Sequence, residues 1–201
     1  MKDRKQIHCM VIGILFALVI VGLWYGREQE VFAQQDLAKE VLRFHVLANS
    51  DEEEDQNLKM KVKEAVLQYM REELPTSDSL EMTKAWVVSH IEEIEAIAEE
   101  LIQNEGFTYP VCAKIMTCKF PEKTYGDITF PAGTYEALRI EIGEAQGQNW
   151  WCVLYPNLCF FDTVHAVVPE EGKKQLEEVL EEDTYDRITA TTPFRVRWFF
   201  F

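Results

Sequence analysis

The chain reads as a single α+β domain behind an N-terminal apolar segment, and three observations predict it. Apolar residues recur at helical spacing from Leu58 to Met70 and from Leu80 to Leu101. From Phe107 to Tyr155, short runs rich in β-branched and aromatic residues alternate with Gly, Pro, Asn and Asp. No internal repeat or long low-complexity stretch divides the 201 residues, so one domain of helices beside an antiparallel sheet is the simplest architecture.

The leader comes first. Lys2, Arg4 and Lys5 outweigh Asp3, and the 21 residues from Gln6 to Gly26 carry no formal charge. Cys9 to Tyr25 is apolar apart from two glycines. A basic start followed by such a run is the pattern of a secretory signal or N-terminal anchor, and its length matches the roughly 20 residues a helix needs to cross the hydrocarbon core. The basic residues favour an N-terminus held inside, so the remainder faces outward. The organisation expected is a signal peptide or membrane anchor over residues 1–33 and an exported α+β domain over 34–201. Val31-Phe32-Ala33 offers small residues suited to cleavage, while Trp24 and Tyr25 suit the interfacial end of a retained anchor. Both readings stand.

The exported part begins with a strand, Val41 to Ala48. Ser50 and Glu53 have the spacing of a capping box, and residues 51–55 place acidic groups in the first turn of a helix, where its dipole favours them. That helix carries Leu58, Val62, Val66 and Met70 and stops at Pro75. Ser77-Asp78-Ser79 caps a second helix with an apolar stripe of Leu80, Val87, Ile91, Ile94, Ala98 and Leu101, ending near Gly106. Strands follow around Phe107–Phe120, Ile128–Phe130, Tyr135–Ile142 and Trp150–Tyr155, read as an antiparallel meander. A short helix from Pro169 and a C-terminal strand, Phe194–Phe201, complete the chain. The last strand is expected beside Phe44–Ala48.

Charge narrows the partners. The formal charge is −15, and because residues 1–27 are net basic the remainder is more acidic still, at −18. Such a surface repels nucleic acid and anionic lipid, so a nucleic-acid partner is not expected. No G-x-S-x-G, H-E-x-x-H or Gly-rich phosphate loop is present, and no catalytic residue, metal ligand or cofactor site is predicted. The acidic run at 51–55 lacks the glycine an EF-hand loop needs, since Gln56 stands there. His45 reads as a structural histidine of a strand, and His90 as a solvated one on an acidic helix.

Cys112, Cys118, Cys152 and Cys159 lie in the exported part, where disulfides can form. None is spaced as C-x-x-C, and the separations fit zinc poorly. A turn at Tyr155-Pro156-Asn157 could fold Cys152 and Cys159 together. A tight turn there sets Cys152 opposite Phe161, so direct pairing calls for a bulge or wider loop. The alternative is that both are small buried hydrophobes. Trp150 and Trp151 point to opposite faces of their strand, so one can be core while its neighbour anchors a partner.

Two strings go beyond patterning. Phe44-His45-Val46-Leu47-Ala48-Asn49-Ser50-Asp51, with Asp55-Gln56, Leu58-Lys59 and Val62-Lys63 behind it, resembles the N-terminal signature of the stage II sporulation protein R family. Thr124-Tyr125-Gly126-Asp127, Pro131-Ala132-Gly133 and Tyr135 to Ile140 resemble it further, as does Asn149-Trp150-Trp151-Cys152-Val153-Leu154-Tyr155-Pro156 with Leu158-Cys159-Phe160. Cys112 and Cys118 lie outside the matching strings. The resemblance implies a non-catalytic signalling protein of endospore-forming bacteria, exported across the forespore membrane. It implies one partner: a membrane-embedded aspartic protease of the mother cell, which is triggered to process pro-sigma-E. His45, Asn49, Asp51, Asp55, Gln56, Trp150 and Trp151 are the candidate contact residues. The alternatives are a secreted cell-wall or peptide hydrolase, which would need converging carboxylates or a His-acid pair, and a non-catalytic envelope structural protein.

Overall fold

The computed structural model of the chain describes residues 13–24, 34–75, 79–160, 168 and 170–189. Residues 13–24 are helical, and every large apolar side chain in them, from Ile14 to Trp24, is exposed. Among the described residues no helix is long and apolar enough to cross a membrane. The cleavage motif at residues 31–33 and the C-terminal strand at 194–201 lie outside the described residues.

Residues 34–40 form a short helix that leads into β1 (Leu42–Leu47). Helix α1 (Glu53–Glu73) follows, then α2 (Leu80–Ser89) and α3 (Ile91–Asn104). The β region comprises β2 (Val111–Phe120), β3 (Lys123–Tyr125), β4 (Ile128–Phe130), β5 (Gly133–Ile142) and β6 (Asn149–Tyr155). A 3-10 turn at Leu158–Phe160 precedes α4 (Glu170–Val179) and α5 (Glu182–Thr189). The α+β class and element order are those expected, with three differences of detail.

First, the second predicted helix is two helices. His90 leaves helical geometry at ψ 19°, breaking the run between α2 and α3. Its ring stacks on Trp86 at 4.1 Å instead of standing free in solvent. The predicted stop holds: Gly106 takes φ +86°, and Phe107 N donates to Ile102 O while Gly106 N donates to Gln103 O, a Schellman closure. Second, the strands do not run as a simple meander. The sheet order is β2-β5-β1-β6, with β1 parallel to β5 and antiparallel to β6. β1 therefore lies between β5 and β6, with both its edges taken by these two strands. Third, α5 has no counterpart in the sequence reading.

The sheet separates two cores. Phe44, Val46, Leu138, Ile140, Cys152 and Leu154 face α1, α2 and α3. The opposite face meets the β3–β4 hairpin, α4 and α5 through Phe120, Phe130, Tyr135, Val153, Leu176 and Ile188. All six residues of β1 are buried, the pattern of a central strand covered on both faces. Burying its odd positions brings a cation and an imidazole into the interior. Arg43 is fully buried against the rings of Phe120, Tyr125, Phe130 and Tyr135, at 4.4 to 5.8 Å from their centroids. Its Nε donates to Cys152 O at 2.9 Å and its Nη2 to the Tyr125 hydroxyl at 3.0 Å. Tyr125 in turn donates to Trp151 O at 3.1 Å, and burial pushes its phenol well up.

Candidate functional site

The structure gathers all seven candidate contact residues at one end of the sheet. They sit on the C-terminal half of β1, the β1–α1 turn, the first turns of α1 and the start of β6. What brings them together is a polar clamp between residues 48–51 and the loop joining β5 to β6.

In that loop, residues 143–148, four backbone N–H groups find their acceptors on residues 48–51. Glu144 N donates to Asn49 Oδ1 at 3.0 Å, Gln146 N to Asn49 O at 3.1 Å, Gly147 N to Ala48 O at 3.0 Å and Gln148 N to Asp51 Oδ1 at 2.7 Å. The approach is close enough to demand glycine twice. A Cβ at Gly147 would overlap the Ser50 carbonyl, and one at Gly143, which also takes φ +59°, would overlap the Asn49 amide oxygen.

Asp55 holds the turn from below. Its Oδ2 accepts from Asn49 Nδ2 at 2.8 Å and from Ser50 Oγ at 2.6 Å. Burial alone would raise this carboxyl, but the hydrogen bonds from Ser50, Asn49 and Tyr109 outweigh it and hold it below its ordinary value. Ser50 is thus not half of a capping box. The helix N-cap is Glu52 with no side-chain cap bond, and Ser50 Oγ instead accepts from Glu52 N while donating to Asp55. Gln56 Nε2 donates to Ser50 O at 2.8 Å. Its Oε1 accepts from buried Lys59, whose ammonium also donates to Gln148 O at 3.0 Å. Burial lowers the Lys59 pKa, and Asp51 nearby offsets part of that.

His45 and Trp151 continue the cluster on the adjoining face. Their rings stack at 4.0 Å, and Phe120 packs on both. His45 Nε2 pairs with Asn149 Oδ1 at 2.7 Å. Burial lowers its pKa to about 4, against the opposing Asn149 hydrogen bond, so the ring is neutral near pH 7. This agrees with a structural histidine. Trp150 points to the other face, edge-on to Phe44 at 5.5 Å with the Lys63 ammonium over its ring at 5.2 Å. Both tryptophans are half-buried, as are Asn49 and Gln56; Asp51 is exposed, and His45 and Asp55 are buried.

Chemically, this end of the sheet is closed on itself. Among the described residues no group of three or more His, Cys, Asp or Glu is placed to hold a metal ion. The sequence reading missed the roles of Ser50, Lys59, Gly143 and Gly147 as parts of the clamp. A lysine at 59 inside the buried stripe of α1, four residues after Asp55, was the available signal. It also missed Arg43, a cation inside an otherwise apolar run.

The fold and this site define a class: an α+β domain with a mixed sheet, whose polar cluster at the sheet end fastens a loop. The chain belongs to the stage II sporulation protein R family, whose model matches residues 38–165. It is 35% identical to the stage II sporulation protein R of Bacillus subtilis (strain 168) over 189 residues, covering 90% of this chain and 84% of that protein. No solved structure matches the chain.

Proposed function

We propose that this sporulation protein is an exported signal that switches on a membrane-embedded aspartic protease of the mother cell, which then processes pro-sigma-E. Residues 1–33 carry the chain across the forespore membrane as a signal peptide or anchor, and residues 34–201 act in the space beyond. The reading rests on family membership together with one observation: the helix at 13–24 has every large apolar side chain exposed, a surface that calls for a lipid environment.

The protein acts by binding, not catalysis. Asn49, Asp51, Asp55 and Gln56 are engaged by their own chain, and the neutral His45 pairs with an amide, so these groups offer no nucleophile with its base. The clamp presents a preformed surface at the sheet end, in which His45 and Asp55 are buried framework, Asp51 is exposed, and Asn49, Gln56, Trp150 and Trp151 are half-exposed at its rim. Docking of that surface on the outward part of the protease favours its active arrangement through differential affinity for two states.

Reconstitution tests this. The protein, the protease and pro-sigma-E are expressed together in a non-sporulating host, with and without residues 1–33. Processing that needs the full chain, is lost with the leader and returns with a foreign signal peptide is the expected result. Precursor processing that does not change when the protein is added overturns the activator reading.

A further inference from the structure

Cys152 lies on β6 and its thiol turns toward the helical core. After Tyr155 the chain does not continue into a partner strand. It folds back through Pro156 and Asn157 into the 3-10 turn at Leu158–Phe160, with Leu158 N donating to Pro156 O at 2.6 Å. This turn, absent from a hairpin register, delivers Cys159 to the same cluster as Cys152, and the two side chains are within hydrogen-bonding reach. Both thiols are buried, at 4% and 8% exposure, and both are free in this structure. The other two cysteines are placed differently. Cys112 is exposed and Cys118 belongs to the second core, on the other side of the sheet.

We infer that Cys152 and Cys159 form an intramolecular disulfide when the chain meets a thiol-oxidising environment. Two thiols that the flanking turn brings into one buried cluster need only approach to about 2.0 Å to bond. The inference rests on this geometry and not on the activator reading, so either can fail without the other.

The chemistry balances with a small-molecule disulfide such as oxidised glutathione as oxidant. One cysteine thiolate attacks a glutathione sulfur, expelling one glutathione thiolate and leaving a mixed disulfide. The second cysteine thiolate then attacks the protein-bound sulfur and expels the second glutathione. Two protein thiols are oxidised, one glutathione disulfide is reduced, and two protons leave. In the folded chain burial pushes the Cys159 thiol well up, with its interaction with Cys152 adding to the effect, so the thiolate forms more readily before the core closes. The bond therefore forms during folding and is sealed in afterwards.

The sequence supplies its own assay. Between Arg139 and Lys173 there is no Lys or Arg, so trypsin releases Cys152 and Cys159 together in one peptide, Ile140–Lys173. Cys112 and Cys118 fall on two other peptides, one each. The full-length chain, purified reduced in detergent, is unfolded and refolded in mildly alkaline buffer with reduced and oxidised glutathione. It is then denatured, blocked with iodoacetamide and digested. The expected result is an Ile140–Lys173 peptide that takes no label and is lighter by two hydrogen atoms, while Cys112 and Cys118 take one label each. One or two labels on Ile140–Lys173, a glutathione adduct there, or a link to Cys112 or Cys118 overturns the inference. A second readout is thermal: reductant lowers the Tm of the oxidised protein by roughly 5–10 °C and leaves a Cys159→Ala variant unmoved. Equal Tm values with and without reductant count against the bond.

Discussion

Gly147 lies against the carbonyl oxygen of Ser50 with no room for a Cβ between them, while its own N–H donates to Ala48 O. Across 97 positions of sequence these two residues bring the β5–β6 loop into backbone contact with the β1–α1 turn. The obstacle is main chain, which cannot swing aside as a long side chain would. Gly147→Ala should destabilise the domain by about 2–3 kcal/mol, the upper part of the range for overpacking. Urea unfolding checks this, and wild-type stability in the variant would show the approach to be looser than described.

Asp55 carries the turn on a single oxygen, since Oδ2 accepts from both Asn49 and Ser50. Asp55→Asn replaces a charged double acceptor by an amide and should cost about 2 kcal/mol, the scale of a hydrogen bond to a charged group. Asn49→Ala removes the other half of the same network. The double variant should therefore lose less than the sum of the two single losses. Additivity in a double-mutant cycle would separate the two residues.

The buried imidazole sets a pH window. His45 titrates at about 4 in the folded chain against 6.5 as its ordinary value, so between those limits the unfolded chain binds the extra proton. Its stabilising share is complete above about pH 6.5 and is lost as pH falls toward 4, by as much as ~3 kcal/mol. Arg139 and Arg43 favour the neutral ring and Glu141 opposes them. The lowered carboxyl of Asp55 adds a further loss only at more acid pH, below the usual carboxylate value. Stability measured by urea unfolding across pH should fall in that order, and His45→Gln should flatten the upper step alone.

Arg43 satisfies Cys152 O and the Tyr125 hydroxyl from one rigid plane while its Nη1 has no hydrogen-bond partner among the described residues. Lysine keeps the charge but cannot reach two acceptors in fixed directions or stack on the surrounding rings. Arg43→Lys should cost about 2–4 kcal/mol and disturb the near-ultraviolet circular dichroism of Tyr125 and Trp151. An unchanged spectrum with unchanged stability would mean the aromatic box does not depend on the guanidinium.

How far these features were legible from the sequence differs by their range. The helices between residues 53 and 104 announced themselves through local periodicity, with Pro75 and Gly106 marking ends, whereas the short segments at 34–40 and α5 carried no such signal. The break at His90 gave none either, because the apolar stripe runs in phase across it and only the stacking on Trp86 reveals the turn. β5 and β6 were each readable, yet nothing local says that β1 inserts between them. The clue was the apolar run at 41–48, interrupted only by Arg43 and His45, which suits a strand covered on both faces. The polar string from Asn49 to Gln56 stood out as a unit, but its acceptors are matched by N–H groups nearly a hundred residues away. Capping explained each residue type locally and hid the clamp.

The central position of β1 has a consequence for the order in which the molecule is made. Arg43 pairs with Ala137 on one side and Val153 on the other, so the first strand of the domain has no neighbour until more than ninety further residues are present. For a chain threaded through a membrane from its N-terminal end, this strand emerges first and waits. The sheet cannot close while β5 and β6 are still on the near side, and such long-range pairing is slow in any case. On the export reading proposed above, this topology would keep the sheet open during passage and close it only once β5 and β6 had followed.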